Sequence, residues 1–316
     1  MTATADAERA YSLFQQPWWL DAVAPGTWRE VTVSRGDRIV ARLPYVRRRR
    51  WGLTLLGQPP LTQTLGPWVQ PSLGKPASAL GHEIALLSEL VDGLPPADRF
   101  LQAFAPQALN ALPFHWAGCS LAMRYTHRLE RLGAEDELWA GLDSTVRGKV
   151  RKAQRQVAVR TDLGMAAFHD VWAKTFARQG LPTPYPRALL ERIEAACAPR
   201  GAREILFAVD AGGRIHAVSY VVYDRSTAYH ILSGADPALR QSGAAMLLLW
   251  EAIRRVAPLT EVFDFEGSML QGVEGVNRRF GARQAPYLVV SRDGRRMRAA
   301  MAARELVRAA RGRAEA

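Results

Sequence analysis

Residues 238–253 read ALRQSGAAMLLLWEAI, a turn carrying Arg240, Ser242 and Gly243 that runs straight into an apolar helical stretch. What flanks it decides the fold. TAYHILSGA (227–235) precedes it and reads as a strand from its aromatic and β-branched residues, and EVFDFEG (261–267) follows its helix as a second strand. Strand, turn, helix and strand make a parallel crossover unit. The helix of such a unit points its free N–H groups at the carboxyl end of the strands, where a phosphate gains hydrogen bonds and a favourable dipole. Gly243, Ala244 and Ala245 keep bulk away from those amides, and Arg240 sets a cation at the rim. The same residues also suit a plain helix start, with Ser242 as the N-cap and no ligand.

Outward from this unit, REILFAVDAGGRIHAVSYVVYD (203–224) alternates around a DAGG turn and predicts a hairpin. Helices are predicted within 134–156 and at MAAFHDVWAKTFARQ and PRALLERIEAACA; downstream come a short helix in GVEGVNRRFGA closed by Gly281, a strand in APYLVVSRDG and an arginine-rich helical tail. The first part of the chain repeats the mixture. EVTVSRGDRIVARLPYVRR (30–48) predicts a hairpin, GHEIALLSELVDGL (81–94) a helix and DRFLQAFAP a short strand, with HWAGCS as a loop. The fold class is therefore α/β (α+β), with mixed central sheets flanked by helices. The expected division is residues 1–121, residues 122–291 and a basic helical tail at 292–316 that returns to the first domain.

The formal net charge of +12 is concentrated locally. Arg42 with Arg47–Arg50 contributes +5, residues 147–160 contribute +6 and residues 292–316 contribute +5, so the remainder is net acidic. Local basic patches imply an anionic partner: nucleic acid, a phosphorylated small molecule or an acidic membrane surface. Two cysteines, Cys119 and Cys197, form no disulfide framework and fit a reducing compartment. MTATADAERAYS has no apolar signal core, and no stretch reaches the roughly 20 apolar residues of a membrane span, so the expectation is cytoplasmic with peripheral membrane contact as the limit.

The crossover with Arg240, Gly243 and Ala245 resembles the pyrophosphate-binding segment of the GNAT acyltransferases. SLFQQPWWLDAV, STVRGKVRKAQRQ (144–156), GGRIHAVSYVVYD and FDFEGSMLQGVEGVNRRFGA (263–282), in that order, are similar to the FemAB-like, cellulose-biosynthesis-associated branch over nearly the whole chain. The resemblance implies two GNAT-like domains, the second holding the acyl donor. It also implies that loop amides hold the pyrophosphate of acyl-CoA while two parallel strands splay to admit the pantetheine arm. Two family features are missing. No tyrosine stands in GVEGVNRRFGA to protonate the departing thiolate, Asn277 lying about there, and the Phe-Lys pair of aminoacyl-tRNA-dependent Fem ligases is replaced by Val276-Asn277-Arg278-Arg279-Phe280-Gly281.

Acyl transfer to an amine needs an unprotonated nucleophile and a stabilised oxyanion, and no covalent intermediate. Asp264 and Glu266 alternate along one face of their strand, opposite Phe263 and Phe265, near the carboxyl end where open sheets bind ligands. Glu266 is the expected general base; its structural alternative is to cap the next turn or to pair with an arginine such as Arg278. Tyr229 and His230 alternate, so one faces the cleft and the other the core; Asp264 and Tyr229 join Glu266 as candidate catalytic residues. Arg147, Lys149, Arg151, Lys152 and Arg155 lie on a helix without an acid between 144 and 160, leaving cations for tRNA, a nucleotide-linked acceptor or a coenzyme phosphate, with Arg278 nearby. The six histidines show no metal-ligand spacing, and no metal is expected. The leading function is an N-acyltransferase moving an acyl group from acyl-CoA to a small-molecule or nucleotide-linked amine. The alternatives are an aminoacyl-tRNA-dependent transferase and a non-catalytic binding protein for nucleic acid or a membrane surface.

Overall fold

The computed structural model describes residues 11–267 and 269–314. Along the chain the strands are β1 (Trp28–Arg35), β2 (Arg38–Arg50), β3 (Leu53–Gly57), β4 (Trp68–Val69), β5 (Arg99–Ala103), β6 (Ser120–Glu130), β7 (Ala158–Arg160), β8 (Arg203–Val209), β9 (Ile215–Tyr223), β10 (Thr227–Ala235), β11 (Val262–Asp264) and β12 (Arg283–Asp293). The helices are α1 (Pro17–Val23), α2 (Pro76–Asp92), α3 (Leu112–Trp116), α4 (Glu135–Gly141), α5 (Ser144–Gln154), α6 (Met165–Ala177), α7 (Arg187–Cys197), α8 (Ala244–Val256), α9 (Gln271–Arg278) and α10 (Arg295–Ala314). Of the described residues, 11–16, 24–124 and 287–314 form one compact unit, and 17–23 with 125–267 and 269–286 form another.

In the first unit the strand order is β1-β2-β3-β5-β12, with β4 on β2. The β1–β2 hairpin turns at Gly36, whose φ of +58° is the left-handed conformation glycine adopts without strain. β3 and β5 run parallel, and α2 connects them. The helix begins earlier than its apolar periodicity indicates because Pro76, fixed in φ and lacking an N–H, suits the first helical position. Its Leu86, Leu87 and Leu90 bury against Val33, Leu43, Leu56, Phe100 and Phe104 on one face of the sheet. HWAGCS is not all loop, since His115 and Trp116 close the short α3. The tail helix is tied at its start, where Arg296 donates to Gly52 O at 3.0 Å.

In the second unit the order is β6-β11-β10-β9-β8-β7, antiparallel except for β10 and β11. α8 lays Leu247, Leu248, Ala252 and Ile253 on Leu206, Ala208, Ala217, Val221, Ala228 and Phe263. The other face carries Tyr220, whose ring lies 5.9 Å from that of Phe168 on α6. The predicted helical run 134–156 is two helices, because Asp143 caps α5 by accepting the Thr145 amide at 2.8 Å. Among the described residues no helix is long and apolar enough to cross a membrane.

Candidate functional site

The crossover of the second unit is built as a strand pair that opens. β10 and β11 pair in parallel only at Thr227 with Val262, Ala228 with Phe263 and Tyr229 with Asp264. Beyond that point β10 stays with β9 through a bulge at Ile231, while the chain after β11 turns to β6, with the Phe265 amide donating to His127 O at 2.9 Å. Each strand keeps its outer neighbour and abandons the inner one. The result is a gap at the carboxyl ends of a parallel pair, where α/β folds bind ligands.

The turn before α8 borders that gap by topology. Gly243 has φ +80°, and a Cβ there would sit 2.7 Å from Lys149 O. Its bareness therefore serves the left-handed turn and the close approach of α5, which revises the expectation that it is spared for a ligand. Ser242 Oγ takes the Ala244 amide at 3.3 Å, and Gly243 O takes those of Met246 at 3.0 Å and Leu247 at 3.2 Å. The amide of Ala245 is the one left in the first turn. The Ala244 methyl is buried in the core, Ala245 is half-buried and Arg240 is exposed.

FDFEG does not continue as a strand to Glu266. Asp264 is buried, accepts from Thr126 Oγ1 and from the Glu266 amide at 2.8 Å, and lies 3.6 Å from Arg128 Nε. Those bonds turn the chain, so Glu266 takes φ +53° and the predicted alternation with Asp264 breaks. Gly267 closes the turn by donating to Thr126 Oγ1 at 2.9 Å; a Cβ on it would lie 2.2 Å from Thr126 Cα. Asp264 thus holds the turn, and burial pushes its carboxyl up to about 6. Glu266 is half-buried, and its Oε1 has no hydrogen-bond partner among the described residues. Burial, then the neighbouring Asp264, raise its pKa well above the ordinary value. Arg278 does not pair with it: that guanidinium donates to Glu274 at 3.1 Å on its own helix.

Tyr229 is buried beside Asp264, and its hydroxyl is hydrogen-bonded with Thr227, back toward the closed end of the ladder. It does not line the gap, and burial keeps it protonated by raising its pKa. His230 bonds Ser219 Oγ at 3.0 Å, and burial lowers it to about 4, so it is neutral at physiological pH. His216 is held by Asp210 at 3.1 Å. Both cysteines are buried, Cys197 being pushed up to about 12 by burial, so neither is a thiolate nucleophile.

The basic helix is less free than its sequence indicates. Arg147 donates to Ala140 O and Leu142 O, Lys152 to Gln241 O at 2.7 Å, and Arg151 lies 5.4 Å over the Trp139 ring. These partners are carbonyls and a ring, and Arg147 also lies in the field of the Asp143 carboxylate at the start of the helix. Lys149 and Arg155 are exposed and have no partner among the described residues.

Two further polar side chains went unrecognised as a pair. His127 is buried with both ring nitrogens unpartnered among the described residues, its Nε2 3.7 Å from Glu274 Oε1, and the buried Asn277 Nδ2 on the same helix also lacks an acceptor. Alternation along β6, which sets His127 opposite in direction to Thr126, was the available signal. Among the described residues no three His, Cys, Asp or Glu side chains cluster as a metal site.

Residues 142–269 match the family model described as an acetyltransferase (GNAT) domain. No match is found among curated proteins. Among solved structures the chain is similar to FemX, with a TM-score of 0.69, 13% identity and coverage of 91% of this chain and 96% of that one. It is also similar to L-PGS from Bacillus licheniformis, at TM-score 0.53, 11% identity and coverage of 98% and 96%. A tandem GNAT protein from the clavulanic acid biosynthesis pathway gives TM-score 0.52, 13% identity and coverage of 93% and 97%. At these identities the likeness is one of fold. The opened parallel pair lies inside residues 142–269, the segment that matches the GNAT acetyltransferase domain model, and the fold of the whole chain is similar to that of FemX.

Proposed function

We propose that the protein is an N-acyltransferase that passes an acyl group from acyl-CoA directly to an amine. The observation that carries the reading is the parallel ladder of β10 and β11, which stops after three pairs beside the start of α8. The donor's pyrophosphate would meet Arg240 and the Ala245 amide, and its thioester arm would enter the gap. The acceptor amine must lose a proton before it can attack. Glu266, whose Oε1 has no hydrogen-bond partner among the described residues, is the carboxylate assigned to take that proton. The amine nitrogen then bonds to the carbonyl carbon, the carbon–sulfur bond breaks and the thiolate leaves with the electron pair. Thr126, Asp264 and Gly267 hold Glu266 in its turn.

Calorimetry with acetyl-CoA and longer acyl-CoAs tests the donor. Saturable binding that weakens in Arg240→Ala is expected, and absence of binding to every acyl-CoA would overturn it. An aminoacyl-tRNA donor is the second reading, supported by the exposed Lys149 and Arg155. Filter binding of charged tRNA across a salt series distinguishes it, since a polyanion complex weakens steeply as salt rises. A cytoplasmic location fits either donor.

A further inference from the structure

The sheet of the first unit has a second face, turned away from the α2 core. Register decides which residues reach it. Arg48 pairs with Leu55 and Val46 with Gly57; Leu55 pairs with Arg99 and Gly57 with Leu101; Ala103 pairs with Val289. Paired residues share a face, so these project together, whereas the alternating Leu56 and Phe100 enter the α2 core. They line a cavity of about 380 Å³, within the size range of small-ligand sites.

The cavity has an apolar floor and a cationic rim. Leu55, Leu101 and Val289 make the floor, and Leu101 is 41% exposed. Gly57 keeps the middle open: a Cβ there would come within 3.2 Å of Leu101 O. Of the three rim arginines, Arg99 is spent on Asp293 through two bonds of 2.6 and 2.8 Å. Arg48 and Arg124 are exposed, and neither has a partner among the described residues. Like charges beside bare hydrocarbon are unfavourable until an anion joins them. Guanidinium forks match carboxylate and phosphate oxygens, and an apolar floor matches the body that carries them.

We infer that this cavity binds a small anionic amphiphile, a phosphate or carboxylate on a short apolar body. Arg48 and Arg124 hold the anion, and Leu55, Leu101 and Val289 take the body. Every residue belongs to the first unit, so the inference is independent of the acyl-donor reading.

The test is calorimetric titration of the full chain with octyl phosphate, 1-octanol and inorganic phosphate. Octyl phosphate should bind at one saturable site, and each half-probe at least about tenfold more weakly. Arg48→Ala and Arg124→Ala should each weaken octyl phosphate about tenfold by removing a charge-assisted hydrogen bond. Leu101→Asp should abolish binding. Arg225→Ala, an exposed arginine of the second unit, is the control and should bind as the parent does. Unchanged thermal unfolding and retained acetyl-CoA binding in the variants would show that the loss is local. Inorganic phosphate binding as tightly as octyl phosphate, or full affinity in both arginine variants, would overturn the inference. So would binding to phosphatidylglycerol vesicles without binding to soluble octyl phosphate, which would assign the contact to the general basic surface.

Discussion

The two units each contain a parallel strand pair joined by a helix, and the ladders are equally short. β3 and β5 pair at three positions, as β10 and β11 do. In the first unit the chain fills the end of the ladder. Gln58 Oε1 accepts the Ala103 amide at 2.7 Å, its Nε2 donates to Thr62 O at 2.7 Å and Gln63 O at 3.0 Å, and the Leu65 amide donates to Ala103 O at 2.8 Å. Its connecting helix starts at Lys75-Pro76, where proline removes an amide from the first turn. In the second unit nothing comparable bridges the strands among the described residues, and the helix starts with Ser242, Gly243, Ala244 and Ala245. One topology thus supplies a ladder end bridged by side-chain and backbone bonds and one left unbridged, and side chains at the break decide which can take an extended donor between its strands.

The sharpest way to break this contrast is Glu266→Gln. If the open end carries the chemistry, acyl transfer should fall about 10²- to 10⁴-fold with acyl-CoA binding retained, and the remaining rate should lose its dependence on deprotonation of a carboxyl. An unchanged rate would leave the opened pair without a base. Gly267→Ala should destabilise the second unit by about 3 kcal/mol, since its Cβ would meet Thr126 backbone; calorimetric unfolding measures it. Gly243→Ala carries a smaller cost of about 1–2 kcal/mol from its left-handed φ, with weakened acetyl-CoA binding because the turn must shift from Lys149.

Gln58→Leu sharpens the other side of the comparison. It leaves the Ala103 amide and two carbonyls without their side-chain partner, so a loss of about 1–2 kcal/mol is expected, with acyl-CoA stoichiometry unchanged at one. A second acyl-CoA site in that variant would show that the filled end had been only masked. A further effect is one of pH. The raised pKa of Asp264 means that the folded state holds that proton more tightly than the unfolded chain does. Its stabilisation is therefore present at low pH and lost as pH rises from about 4 through about 6. Asp264→Asn keeps an oxygen acceptor and cannot titrate, so its unfolding free energy should decline less over that interval.

Much of this was legible along the chain. Alternation around SRGD and DAGG located both hairpins, and the apolar run after Gly243 located α8. Residue order around Arg240 showed the crossover that the structure confirms. The charged residues were less legible. Lys152 and Arg147 read as free because no acid lies between residues 144 and 160, yet the carbonyls of Gln241 and of Ala140 and Leu142 engage them. Alternation left open whether Tyr229 or His230 faces the cleft, and the Tyr229 hydroxyl turns to Thr227. Gly57 and Leu101 lie far apart in sequence, and only strand pairing places them in one cavity.

Periodicity and turn chemistry are local properties, carried by residues a few positions apart, and they were enough for both hairpins, the apolar helix α8, the crossover and the mixed α/β class. The break in the β10–β11 ladder, the left-handed Glu266 and the choice of which parallel pair stays open depend on Thr126, Lys149 and Gln58. Those residues act through space across dozens of positions. Burial and hydrogen bonding between distant segments are properties of packing, and local patterning leaves them undetermined.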